Sequence, residues 1–256
     1  MRLAYTVSGR GRPVILIHGM GSWREIWPAL QLDGYRFYAV DLPGFGDSDL
    51  PRRRQDFPDF GMALAAFVAR LHLEEPPLLV GHSFGAMVAV DAAAHRLDAA
   101  GLLLVAPAGF VDPVGALRGT GVVALNRALL WVTGGAWFGR RMVSALGVDP
   151  QAVDAGTRRS LQRGWRRARE MTRMGRFYQY PTMAADLKAT GLPHRILAGT
   201  RDALFPRSRL EPALSGLTVE WLEGQGHIPM WQDPTGFRER FRAALEAIYP
   251  GVAFPA

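Results

Sequence analysis

The 256-residue chain contains no cysteine and a single lysine, Lys188. Without thiols, it has no disulfides, no thiolate nucleophile and no cysteine metal site. It is also short of long apolar runs. The most apolar segment, 122–137, is interrupted by Asn126, Arg127, Gly134 and Gly135, and it falls short of the ~20 residues that cross a bilayer. The start, Met1-Arg2-Leu3-Ala4-Tyr5-Thr6, has no apolar signal segment, so a cytoplasmic location is expected. No internal repeat is visible.

The net charge of +7 raises the question of a polyanionic partner. Residues 112–185 hold 12 arginines against four acidic residues, a net +8, and the rest of the chain is −1. All of the excess therefore lies in one middle segment. A solvated helix face accounts for it; attraction of anionic ligands or of an anionic membrane surface, without stable insertion, is the alternative. No recognition-helix pattern, zinc spacing or interleaving of basic and aromatic residues accompanies the charge, so no nucleic-acid partner is expected.

What the chain does have is a repeated grammar of short apolar runs ending in glycine-rich turns. Leu78-Leu79-Val80 is such a run, with no helical stripe, and reads as a strand buried on both faces. It leads into Gly81-His82-Ser83-Phe84-Gly85, the G-x-S-x-G spacing of a nucleophile elbow, and then into a small-residue stretch that reads as a tightly packed helix. In such a turn the serine hydroxyl is lifted clear of the backbone. Side chains at the two glycine positions would collide with neighbouring elements.

The same grammar recurs along the chain. Val14–His18, Phe37–Val40, Leu102–Val105, Arg195–Ala198 and Thr218–Leu222 read as strands. Helices are expected over Phe60–Leu71, Pro234–Ile248 and, capped by Ser22, Trp23–Leu30. Gly19-x-Gly21 lacks the third glycine and the acidic partner of a dinucleotide fingerprint. Asp41, heading the turn-rich stretch Asp41–Ser48, is expected to tie loop backbone. Between Phe110 and Leu187 no strand-like run occurs, only helical stretches. This is the pattern of a parallel-sheet α/β core, residues 1–109 and 188–256, with a helical cap inserted at 110–187.

A serine hydroxyl needs a base within hydrogen-bond reach, oriented by a carboxylate. In an open parallel sheet, functional groups gather beyond the carboxyl ends of the strands. Two strand ends supply candidates: Asp202 after Arg195–Ala198, and His227 after Thr218–Leu222. The chain order Ser83, Asp202, His227 is nucleophile, acid, base. Asp112 is a poorer acid, because Pro107-Ala108-Gly109 takes the positions next to the strand. Backbone N–H groups of Met20 and Phe84 are the expected oxyanion donors.

With His18-Gly19, Asp41–Ser48, the elbow, Gly199–Pro206 and Gly226–Pro234 in order, the chain resembles the α/β-hydrolase family. The resemblance implies a mostly parallel twisted sheet with helices on both faces and an inserted helical cap. It further implies that Asp202 orients His227, which deprotonates Ser83. Branches with an aspartate nucleophile, the haloalkane dehalogenases and epoxide hydrolases, are set aside by Ser83. A carboxylesterase for small or medium lipophilic esters is the simplest expectation. Carbon–carbon hydrolysis of ring-cleavage products, cofactor-free perhydrolysis and a non-catalytic ligand receptor are the alternatives. His18, Gly19, His82, Trp131 and Ile228 are candidate pocket residues, His18 and His82 being either structural or pocket-lining. The chemistry requires no metal or organic cofactor, and the expected partner is a small acyl substrate.

Overall fold

The computed structural model describes residues 1–27, 30, 32–53, 55–112 and 180–251. Its centre is a seven-stranded sheet: β1 (Tyr5–Gly9), β2 (Arg12–Ile17), β3 (Tyr35–Val40), β4 (Leu78–His82), β5 (Gly101–Val105), β6 (His194–Gly199) and β7 (Val219–Leu222). The spatial order is β1-β3-β2-β4-β5-β6-β7. Only the β1–β3 pair is antiparallel, Tyr5 facing Val40; every other pair is parallel. The elbow strand β4 lies in the middle, with Ile17 and Leu104 beside Gly81.

Every residue of β4 and β5 is buried, as the continuous apolar runs require. Alternate residues nevertheless serve different layers. Ile15, Ile17, Leu79, Leu102, Leu104 and Ile196 pack with α1 (Phe57–Arg70), α2 (Phe84–His95) and α3 (Met183–Ala189). Val14, Leu16, Val80, Leu103, Val105 and Leu197 pack with α6 (Pro234–Ile248), through Phe237, Phe241 and Leu245. Between them come α4 (Arg207–Ala213) and the single turn α5 (Pro229–Gln232). Helices thus cover both faces of the sheet.

Local sequence explains the element boundaries. Helix α1 starts at Phe57, three residues ahead of the expected Phe60, because its N-cap Asp56 and Asp59 form a reciprocal capping box with Pro58 in the first turn. Helix α6 runs as expected from Pro234 to Ile248, with Asp233 accepting from Gly236 N–H. The expected helix over Trp23–Leu30 is not there as such: Arg24–Ile26 form one 3-10 turn, and Ser22 does not cap it. Trp27 is extended at φ −79°, ψ 121°, which is the conformation that the following Pro28 imposes on its predecessor. Strand β1, not expected, is exposed along its whole length at the sheet edge.

Of the expected cap, 110–187, residues 113–179 lie outside the described residues, and Trp131 with them. Helix α3 crosses the expected 187/188 boundary. Met183 and Leu187 are fully buried in the α1 and α2 layer, where Gly109 leaves room for the Met183 sulfur. Among the described residues, no helix is long and apolar enough to cross a membrane.

Candidate active site

The β4–α2 turn places Ser83 at φ 53°, ψ −115°. An L-residue held there costs on the order of 1–3 kcal/mol, so the neighbours must fix it. Three backbone hydrogen bonds do so. Ser83 N–H donates to Val105 O at 3.0 Å, and Ser83 O accepts from Ala86 N–H at 3.0 Å and Ala108 N–H at 3.1 Å. The elbow glycines are required by contact: a Cβ on Gly81 would strike Gly85 O and Ala86, and one on Gly85 would strike Ile17 O and His18 O. Helix α2 is buried along nearly all its length, which is why it is built of small and apolar residues without a polar stripe.

Two loops at the same sheet edge bring the partners. Arg201 N–H donates to Gln225 O at 2.8 Å and Thr200 N–H to Leu222 O at 3.1 Å, so the loops after β6 and β7 brace each other. Gly199 permits the approach, since a Cβ there would meet the carbonyls of Gln225 and Gly226. Asp202 Oδ1 accepts from Leu204 N–H at 2.9 Å and Phe205 N–H at 3.0 Å. Its Oδ2 lies 2.7 Å from His227 Nδ1. A carboxylate only accepts, so Nδ1 carries the proton, leaving Nε2 to accept from Ser83 Oγ–H at 2.9 Å. Ser83, Asp202 and His227, apart in sequence, are one hydrogen-bonded chain. Asp202 is 3% exposed. Burial pushes its carboxyl up, but the His227 hydrogen bond and charge and the two backbone N–H groups outweigh burial and hold it below its usual value.

The loop after β2 passes over the serine. Gly19 touches it: a Cβ there would lie 3.0 Å from Ser83 Cβ and 2.9 Å from His82 Nδ1. Gly19 O is held twice, by His18 Nδ1–H at 2.8 Å and Ser22 N–H at 3.2 Å. In a trans peptide, the N–H of Met20 then points the opposite way. His18 Nε2 accepts from Leu42 N–H at 2.9 Å, so both ring nitrogens bind backbone and none is left for a ligand. Burial lowers the His18 pKa, keeping the ring uncharged. Phe84, at the first turn of α2, is buried beside Phe57 and Phe60. Ile228, 6% exposed, belongs to the layer under α6.

Asp41 holds the same loop from outside. Fully buried, it accepts from Arg24 N–H at 2.7 Å and Asp47 N–H at 2.9 Å and pairs with the Arg24 guanidinium, which also reaches Asp47 at 2.6 Å. Gly46 sits against the Asp41 carboxylate at φ 49°. The tie through Asp41 was readable in its turn-rich stretch, but nothing at sequence level pointed to Arg24. Sequence reading also missed the hydrogen bond between His82 and the His227 backbone.

His82, directly before Ser83, is 3% exposed. Its Nε2 lies 2.9 Å from His227 O, an acceptor, so Nε2 carries the proton. Burial, then the neighbouring His227, lower its pKa to about 3. His72 and His95 are exposed and His194 half-buried, none of them near this edge. Among the described residues, no cluster of histidine and acidic side chains could hold a metal ion.

A family model described as "Alpha/beta hydrolase family" matches residues 14–240. The chain belongs to the alpha/beta hydrolase family. That match spans β2 to α6, all three members of the hydrogen-bonded chain included, and makes the protein a hydrolase. An uncharacterized protein of Mycobacterium tuberculosis is 26% identical over 96% of this chain and 79% of its own. Among solved structures, an esterase from Rhodococcus sp. ECU1013 superposes with TM-score 0.71 at 25% identity, over 96% of this chain and 95% of that one. A thermophilic esterase from Thermogutta terrifontis gives TM-score 0.75 at 23% identity, over 96% and 94%, a likeness of fold.

Proposed function

We propose that this hydrolase is a serine carboxylesterase for small or medium lipophilic esters. The observation that carries the reading is the unbroken hydrogen-bonded chain from Ser83 through His227 to Asp202. In the proposed cycle, Ser83 Oγ attacks the ester carbonyl carbon while His227 Nε2 takes its proton, and Asp202 steadies the imidazolium that results. The oxyanion is received by the N–H groups of Met20 and Phe84. A donor of this kind is worth about 2.7–4 kcal/mol in related chemistry. Collapse expels the alcohol, which leaves with the proton from His227. Water, deprotonated by the same nitrogen, then attacks the acyl-enzyme, and the carboxylic acid departs as Ser83 regains its proton.

The Rhodococcus esterase supports the choice of ester as substrate. The apolar content of the segment 110–187, Trp131 included, supports a lipophilic acyl group beneath a helical cap.

The test is hydrolysis of p-nitrophenyl esters from acetyl to palmitoyl, with Ser83→Ala beside the wild type. Turnover that disappears in the variant is expected, and the preferred chain length sizes the pocket. A Ser83→Ala protein with full activity overturns the reading. A folded wild type inert at every length transfers the proposal to carbon–carbon hydrolysis or to a receptor.

A further inference from the structure

The imidazole of His82 lies at the junction of all three elements that converge on Ser83. It is the last residue of β4, covalently adjacent to the serine. Its Nε2–H donates to the backbone carbonyl of His227, 145 residues away, at 2.9 Å. Its Nδ1 edge abuts Gly19, in the loop carrying Met20, and has no hydrogen-bond donor. The ring packs edge-on against Trp27 with centroids 6.4 Å apart, and its centroid is 5.1 Å from that of His227.

We propose that His82 is a positioning residue, an uncharged strut that sets the distance between the loop bearing His227 and the loop bearing Met20. The inference rests on the reading of Ser83 and His227 as nucleophile and base. Three features of the ring suit the role. On the Gly19 side the buried Nδ1 makes no hydrogen bond, so the ring meets that loop by shape alone. The N–H on the other side fixes the main chain of the base, leaving the His227 side chain free to meet Asp202 and Ser83. An uncharged ring this close to His227 does not oppose the imidazolium that forms during attack.

The test uses the full chain with His82→Phe, His82→Asn and His82→Gln, read by steady-state kinetics on p-nitrophenyl butyrate and by thermal melting. Phe fills the space without a donor. The Asn amide stops at the position of Nδ1, whereas the Gln amide reaches that of Nε2. For Phe and Asn, kcat is expected to fall on the order of ten- to a hundredfold with KM within about twofold, the size of effect that a misplaced group produces. Gln is expected to recover kcat to within a fewfold. A merely structural role would move the melting temperature without producing this rescue pattern. If Phe does not fold, Asn against Gln carries the same comparison. Wild-type kcat in Phe or Asn, or a Gln variant as slow as Asn, overturns the proposal. Ser83→Ala runs beside them: if it keeps full activity the esterase reading fails, whereas an inactive Ser83→Ala with unimpaired His82 variants sinks the strut alone.

Discussion

Asp202 Oδ2 lies 2.7 Å from His227 Nδ1, and the other carboxylate oxygen is occupied by the N–H groups of Leu204 and Phe205. Asp202 cannot turn away from His227 without abandoning two backbone donors. Asp202→Asn keeps the shape but presents an amide that can donate, which inverts the His227 tautomer. Its kcat on p-nitrophenyl esters is expected to fall on the order of 10⁴-fold with the fold intact by circular dichroism.

The same carboxylate gives stability a pH dependence. Its folded pKa is depressed, so its contribution is fully present above its unfolded value, about 3.9, and is lost as pH falls through the lower folded value. Urea midpoints measured from pH 6 downward should drop below about pH 4, and Asp202→Asn should flatten that limb. An identical limb in wild type and variant would contradict the assignment.

Asp41 and Arg24 form a pair at the back of the loop carrying Met20. Asp41→Ala strips the partner from a largely buried guanidinium and from two backbone N–H groups. Because Arg24 retains Asp47, the expected loss is about 3 kcal/mol, the low end for breaking a buried pair. Equilibrium urea unfolding measures it.

Gly19→Ala separates activity from stability. The added methyl would lie within 3.0 Å of Ser83 Cβ and His82 Nδ1. Relief requires the loop to shift by a few tenths of an ångström, taking the Met20 N–H, the proposed oxyanion donor, with it. Ester hydrolysis is expected to fall about a hundredfold with the melting temperature lowered by only a few degrees.

Arg12 provides the opposite control. At the start of β2, at the opposite end of the parallel strands from Ser83, it lies 3.7 Å over the Tyr249 ring, pairs with Glu75 at 2.9 Å and donates to Pro250 O at 3.1 Å. Arg12→Ala should cost about 1 kcal/mol and leave kcat and KM unchanged.

The sheet and the three side chains that meet at its edge, Ser83, Asp202 and His227, were legible because their signals are local. Apolar runs such as Leu102–Val105 end in turns, and Asp202 and His227 each follow such a run. Family resemblance then implied their roles. Strand β1 left no such signal, because Tyr5–Gly9 is exposed and short, so its sequence lacks a buried run. The helix expected after Ser22 failed for a reason that Pro28 did announce. The hydrogen bond from His82 to the His227 carbonyl was illegible, since it joins residues 145 apart through a backbone group that any residue at position 227 would offer.

The spacing of the hydrogen-bonded chain also bears on how the molecule reaches its final state. Asp202 and His227 are 25 residues apart and belong to the adjoining β6 and β7 ends, whereas Ser83 and His227 are separated by 144 residues. Closing the longer loop carries the larger entropic barrier, and contacts of such separation form late. A refolding chain can therefore recover its helices, and even the Asp202–His227 pair, while still inert. Return of turnover after dilution from denaturant should lag the return of far-ultraviolet ellipticity.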